Sequence, residues 1–246
     1  MQHMLDQPGD IGHLPPKQMS HDVNRRGRAR AAIGKLPLIR MMSRAVTPGL
    51  AALGMTPNQV TALGMVAGLV AAACFAFGSP LVQILGAATF ALATLLDYCD
   101  GELARMRGMG SRLGAYFDDF VDWIVHATLF LAIGYHAMND GGHVAWMWLG
   151  VAAALGGTIN AVLPLVLGGV PEGESQISTL SDLEADAGWG DVAVFAFRGL
   201  ARADFWLIVV GLALGGWLWV LLPAAAIGAQ VYWLLYLKKS VRRILT

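Results

Sequence analysis

Long apolar runs separated by short polar breaks organise this chain. Runs at 58–77, 81–104, 113–137 and 144–168 each reach the roughly 20 residues that a helix needs to cross a membrane. GSP at 78–80 and HAMNDGGH at 136–143 are tight turn signals between them. A polar stretch at 169–188, containing GGVPEGESQ, reads as a loop. The last run, 204–237, spans roughly 50 Å as a helix, long for one crossing and short for two. Gly215 and Gly216 offer a break near its middle.

Charge decides between five and six crossings. With six, the N-terminus, the 105–112 turn, the 169–203 segment and the C-terminus share one side. All 17 Lys and Arg then lie on or beside that side, which is the positive-inside pattern. With five, KKSVRR would lie outside. The expected fold is therefore an all-α membrane protein of six transmembrane helices in the cell (inner) membrane, with both termini cytoplasmic. Residues 189–202 are expected as an interfacial helix or as the first turns of the fifth span.

The first 50 residues differ from the rest. They hold eight Lys and Arg against three Asp, with no apolar segment of the kind that follows a signal-peptide charge cluster. Residues 1–25 are expected to be a disordered tail. Residues 26–50 are expected to be an amphipathic juxtamembrane helix, with Ile33, Leu36, Ile39 and Met42 opposite the arginines, suited to an anionic leaflet. Residues 51–246 form the membrane domain.

Composition agrees with the pattern. The chain has 246 residues, 56% hydrophobic and 14% charged, against about 25% charged in soluble domains. A formal net charge of zero gives no bulk argument for nucleic acid. Two cysteines, Cys74 and Cys99, lie in apolar runs and do not suggest a disulfide framework. The eight tryptophans suit interfacial belts.

Against this background stands DYCDGELARMRGMGSRLGAYFDDFVD, residues 97–122, with five Asp, one Glu and three Arg at a predicted membrane boundary. At about 100° per residue, Asp97, Asp100, Gly101, Ala104 and Arg105 fall within an arc of roughly 140°. Gly114, Asp118 and Asp122 fall within about 80° on the next helix. Asp119 and Glu102 turn away, and Cys99 points to packing. Four carboxylates can thus converge. Ionisable groups at such a depth are paired or functional. An all-oxygen donor set suits hard cations, Mg²⁺, Mn²⁺ or Ca²⁺, and four ligands can hold two ions about 4 Å apart for an in-line phosphoryl displacement. Gly101, Ala104 and Gly114 leave room for a group against the backbone, and Arg105 can meet a phosphate bidentately.

The spacing Asp97-x₂-Asp100-Gly101-x₂-Ala104-Arg105, then eight residues, then Gly114-x₃-Asp118-x₃-Asp122, resembles the signature of the CDP-alcohol phosphotransferase family. Upstream, Thr56-Pro57-Asn58-Gln59-Val60-Thr61 resembles the element that opens the first span in that family. The resemblance covers residues 45–140 strongly. It implies a six-helix membrane enzyme, usually a homodimer, with a cytoplasm-facing site that moves a phospho-alcohol group from a CDP-alcohol to a second alcohol and releases CMP. It implies Mg²⁺ or Mn²⁺ on Asp97, Asp100, Asp118 and Asp122, with Asp122 also the base. It implies nucleotide or diphosphate contacts from Asn58, Thr61, Gly101, Arg105 and Ser111, with Ala104 and Gly114 leaving room.

Finer features point towards the branch that includes inositol-phosphate lipid synthases, where DGE-x-AR and S-x-x-GA recur. Trp123, where many such members carry arginine, counts against an inositol-phosphate acceptor. CDP-diacylglycerol is the expected donor, with a small polar or phosphorylated alcohol as acceptor. The alternative is a CDP-linked head group transferred to diacylglycerol, a lipid acceptor. A non-enzymatic divalent-cation carrier is the alternative of another class, and its site should lie near the bilayer midplane rather than at one end. Arg112, Arg198, Arg202 and Asn160 are acceptor-site candidates, weighed against membrane-surface anchoring for the arginines and helix–helix hydrogen bonding for Asn160. His126, one turn beyond Asp122, either reaches the site or bonds its i−4 neighbour.

Overall fold

A computed structural model describes residues 38–166 and 205–245. All the regular elements among them are helical: α1 (Leu38–Ala52), α2 (Pro57–Phe77), α3 (Pro80–Arg107), α4 (Arg112–Asn139), α5 (Ala145–Val166), α6 (Phe205–Gly215), a 3₁₀ turn (Leu218–Val220) and α7 (Leu221–Leu245). Four helices, α2 to α5, are long and apolar enough to cross a membrane. Their bounds fall within three residues of those read from the apolar runs. The polar loop at 169–188, the interfacial candidate at 189–202 and residues 1–37 lie outside the described residues.

Local chemistry sets the helix ends. Thr56 and Gln59 form a reciprocal capping box: Thr56 Oγ1 accepts from the Gln59 N–H and Gln59 Oε1 accepts from the Thr56 N–H at 2.9 Å. Pro57 follows at the first helical position, where its missing N–H costs nothing. At the same end of the bundle, α3 stops where Gly108 turns left-handed (φ 62°) and the Met109 N–H donates to the Ala104 carbonyl at 3.0 Å. Ser111 then caps α4 by accepting from the Gly114 N–H at 3.0 Å.

α3 and α4 each have 28 residues, roughly 42 Å of helix, against a hydrocarbon core of about 30 Å. Each is therefore about two turns longer than an upright crossing needs. The aspartates lie within about the last three turns of α3 and the first three of α4.

α2 packs on both α3 and α4, and α5 on α4; α6 lies on α3, and α7 on α5. Phe75, Phe90, Leu129, Val209 and Leu222, each at most 2% exposed, centre the apolar core. Small residues set the approach. A Cβ on Gly68 of α2 would lie 2.5 Å from Val125 Cγ2 of α4, and one on Gly150 of α5 would lie 2.6 Å from the Phe130 carbonyl oxygen of α4. The last apolar run breaks where expected, at Gly215 and Gly216, the latter with φ 71°.

The N-terminal helix departs from its sequence reading. Its described part, α1, buries Ile39, Ser43 and Thr47 against α3, while Met42 is exposed. Residues 26–37, with Ile33 and Leu36, lie outside the described residues. The buried strip is polar because it meets Glu102 of α3, a partner that one helix's periodicity cannot reveal.

Gly68→Ala is expected to destabilise the fold by about 1–3 kcal/mol, since β-branched Val125 cannot swing aside. Thermal unfolding in detergent should show this, with Val125→Ala on the Gly68→Ala background recovering most of the loss.

Candidate active site

Where the ends of α3 and α4 meet α2 and α6, a cavity of about 370 Å³ opens. Its polar wall holds Asp97 and Asp100 from α3 and Asp118, Asp119 and Asp122 from α4. Thr61 and Gly64 of α2 form another side. Phe90, Ala93 and Thr94 of α3, with Phe205 and Trp206 of α6, close the apolar side. No lysine or arginine lines it among the described residues.

The four motif aspartates line one cavity, as the helical arithmetic allows. Asp100 is 4% exposed, and its Oδ2 accepts from Thr61 Oγ1 at 2.5 Å. The hydroxyl stands where a buried carboxylate needs a donor. Asp122 sits more openly, its side chain 62% exposed. His126 Nδ1 lies 3.0 Å from Asp122 Oδ1 and 2.9 Å from its carbonyl oxygen. The two readings of His126 are thus compatible: it contacts its i−4 neighbour and also lines the cavity. Its ring packs on Phe90 and Phe205. Asp119, expected to turn away, reaches the cavity wall while remaining exposed.

The remaining motif residues do not line this cavity but adjoin one another. A Cβ on Gly114 would lie 3.1 Å from Ser111 Oγ and 3.4 Å from Asn58 Oδ1, so the bare glycine lets the start of α4 meet the start of α2. The Arg105 guanidinium folds over Gly101, where a Cβ would stand 3.4 Å from its Nη1. Ala104 is half-buried, and Arg112 is exposed at the first turn of α4. Asn160 is placed elsewhere: its Nδ2 donates to the Ala229 carbonyl at 3.1 Å between α5 and α7. Arg198 and Arg202 lie outside the described residues. Trp123 Nε1 donates to Thr158 Oγ1 of α5 at 3.0 Å, which ties that indole to a helix contact.

Sequence reasoning missed the apolar side. Phe205 and Trp206 lie in an apolar run that reads only as membrane span, and no spacing signal distinguishes a cavity wall from a lipid face. Of the polar atoms of the cavity's lining residues, Asp118 Oδ1 and Trp206 Nε1 are buried without a hydrogen-bond partner. Among the described residues, no three acidic, histidine or cysteine side chains are arranged as a ready metal-ligand set.

Comparison with known proteins follows this geometry. Residues 54–169, just under half of the chain, match the family model for CDP-alcohol phosphatidyltransferase. All four motif aspartates lie within the match. The chain is 33% identical over 110 residues to an archaetidylinositol phosphate synthase of Pyrococcus horikoshii, covering 45% of this chain and 54% of that protein. It is 36% identical over 107 residues to a phosphatidylinositol phosphate synthase of Mycobacterium bovis, covering 41% and 48%. It is 33% identical over 101 residues to a bifunctional IPC transferase and DIPP synthase of Thermococcus kodakarensis, covering 41% and 22%. The chain thus spans about half, or less, of the length of these relatives. A crystal structure of Mycobacterium tuberculosis phosphatidylinositol phosphate synthase with CDP-DAG bound is similar at 23% identity and a TM-score of 0.49, over 77% of this chain and 90% of that one.

Thr61→Val is expected to leave the Asp100 carboxylate buried without its donor and to lower unfolding free energy by about 1–3 kcal/mol. Thr61→Ser, which keeps the hydroxyl, should lose much less. Equal losses in chemical unfolding would show that the bond contributes nothing.

Proposed function

We propose that this protein transfers a phosphatidyl group from CDP-diacylglycerol to a small polar or phosphorylated alcohol and releases CMP, a step of phospholipid biosynthesis. The observation that carries this reading is the convergence of Asp97, Asp100, Asp118 and Asp122 on one cavity at the ends of two long apolar helices. That placement suits one lipid substrate and one water-soluble nucleotide. The family match and the names of the relatives support the donor and the reaction class.

The donor set fits a hard divalent cation in kind: five carboxylates line one cavity, and the buried Asp118 Oδ1 lacks any partner. Asp97, Asp100, Asp118 and Asp122 would hold Mg²⁺ or Mn²⁺, which would neutralise the diphosphate and the charge developing on departing CMP. The chain's own residues do the rest. Thr61 fixes the Asp100 carboxylate. Arg105, over the open face of Gly101, meets the diphosphate. Asn58, Ser111 and Gly114 form the adjoining shelf for the nucleotide. Asp122, the most open of the motif carboxylates with a resolved contact, takes the proton of the acceptor hydroxyl while His126 orients it. The acceptor oxygen then bonds to the phosphorus that bears the diacylglycerol. The bond from that phosphorus to the CMP oxygen breaks, and CMP leaves with its electron pair.

Six crossings with both termini and the site cytoplasmic remain our topology, supported by the placement of basic residues. A homodimer is the assembly that the family resemblance implies. Inositol phosphate leads the acceptor panel because of the relatives' names, although Trp123 is directed to α5 and not to the cavity.

Purified protein given CDP-diacylglycerol, Mg²⁺ and a panel of alcohols headed by inositol phosphate should release CMP. Asp122→Asn should slow that release by about 10²–10⁴-fold, the usual contribution of a positioned base. No release with any pair of substrates, or full activity in the variant, would sink the reading. Chelation with EDTA should abolish turnover and added Mg²⁺ should restore it; turnover that survives EDTA would remove the metal from the reading.

A further inference from the structure

The juxtamembrane helix α1 grips the catalytic helix α3 through one acidic side chain. Ser43 Oγ donates to Glu102 Oε1 at 2.8 Å, and Thr47 Oγ1 donates to Glu102 Oε2 at 3.0 Å. Both hydroxyls are buried, Ser43 at 0% and Thr47 at 1% exposure. Each also lies near a carbonyl of its own helix, Arg40 for Ser43 and Ser43 for Thr47. A hydroxyl has a single proton, and a carboxylate oxygen draws it more strongly than a carbonyl. Each oxygen of Glu102 therefore accepts from a donor without charge, which turns the carboxylate towards α1.

This arrangement is unusual for the position. Glu102 and Arg105 stand three residues apart on one helix, a spacing at which opposite charges meet readily. Among the described residues, however, the one ion pair is His126–Asp122. Two other guanidiniums are engaged elsewhere. Arg107 donates to the carbonyls of Met55 at 2.7 Å and Ala51 at 2.6 Å, and Arg40 lies over the Tyr98 ring at 6.0 Å. Arg105 instead lies over Gly101, next to Asp100.

We propose that Ser43 and Thr47 are positioning residues: by holding both oxygens of Glu102 they keep it from pairing with Arg105, and so leave the Arg105 guanidinium to the diphosphate of the nucleotide. The inference rests on the reading of Arg105 given above, and it assigns to α1 a part in substrate binding. It also explains why α1 buries hydroxyls against α3 and leaves Met41, Met42 and Val46 exposed.

The test is CDP binding by the full-length protein in detergent with Mg²⁺, by calorimetric titration below the melting temperature of every variant. The Ser43→Ala/Thr47→Val double variant frees Glu102, and its Kd for CDP should rise about two- to fivefold, the size of shift a competing surface ion pair can impose. Adding Glu102→Gln to that double variant removes the competing charge and should return the Kd to near the wild-type value. A merely structural role for α1 would not give that rescue. An unchanged Kd in the double variant, or a rise that Glu102→Gln does not reverse, overturns the proposal alone. Wild-type protein that neither binds CDP nor releases CMP from CDP-diacylglycerol overturns both this proposal and the enzymatic reading.

Discussion

Carboxylates crowded into one cavity repel one another, and the surrounding architecture is arranged to hold them there. Asp97, Asp100, Asp118, Asp119 and Asp122 share a cavity with no lysine or arginine in its described wall. Such a group is costly in hydrocarbon, and it stands within about three turns of the ends of α3 and α4, helices about two turns longer than an upright crossing requires. The left-handed Gly108 and the Ser111 cap then return the chain within a few residues, and α2, packed on both helices, holds the two acidic ends around one cavity.

The contacts that hold these ends come from outside the acidic stretch. Thr61 of α2 donates to Asp100 on one side of α3, and Ser43 and Thr47 of α1 donate to Glu102 on another. Arg107 bonds the carbonyls of Ala51 and Met55, at the end of α1 and in the turn before α2. The end of α3 is thus fixed by neutral hydroxyls and backbone carbonyls. Acids stabilised by hydroxyl donors keep their charge available for a cation or a substrate, whereas acids paired with arginine would have theirs largely cancelled. This is the physical link between the fold and the proposed phosphotransfer.

The apolar side of the site follows a different logic. Phe90, Phe205 and His126 pack edge to face or tilted, at centroid distances of 5.9–6.0 Å. They join α3, α4 and α6 around the deep side of the cavity, and Trp206 lies beside them. A cavity with carboxylates on one wall and aromatic rings on the other suits a reaction between a water-soluble nucleotide and a lipid.

Much of this was determined by the sequence alone. Apolar run length set the four long helices, because crossing a bilayer demands about 20 apolar residues and few other structures supply them. The break at Gly215–Gly216 and the grouping of Asp97 with Asp100, and of Asp118 with Asp122, on one face of each helix followed from turn chemistry and helical period. These properties are local: each depends on residues within a few turns of one another. Tertiary structure decided the rest. Only packing brought Phe205 and Trp206 to the cavity, set Thr61 on Asp100, tied Asn160 to α7 and turned the polar strip of α1 towards Glu102. Those pairs lie 39 or more residues apart in the chain, and the period of one helix says which residues share a face but not what that face will meet.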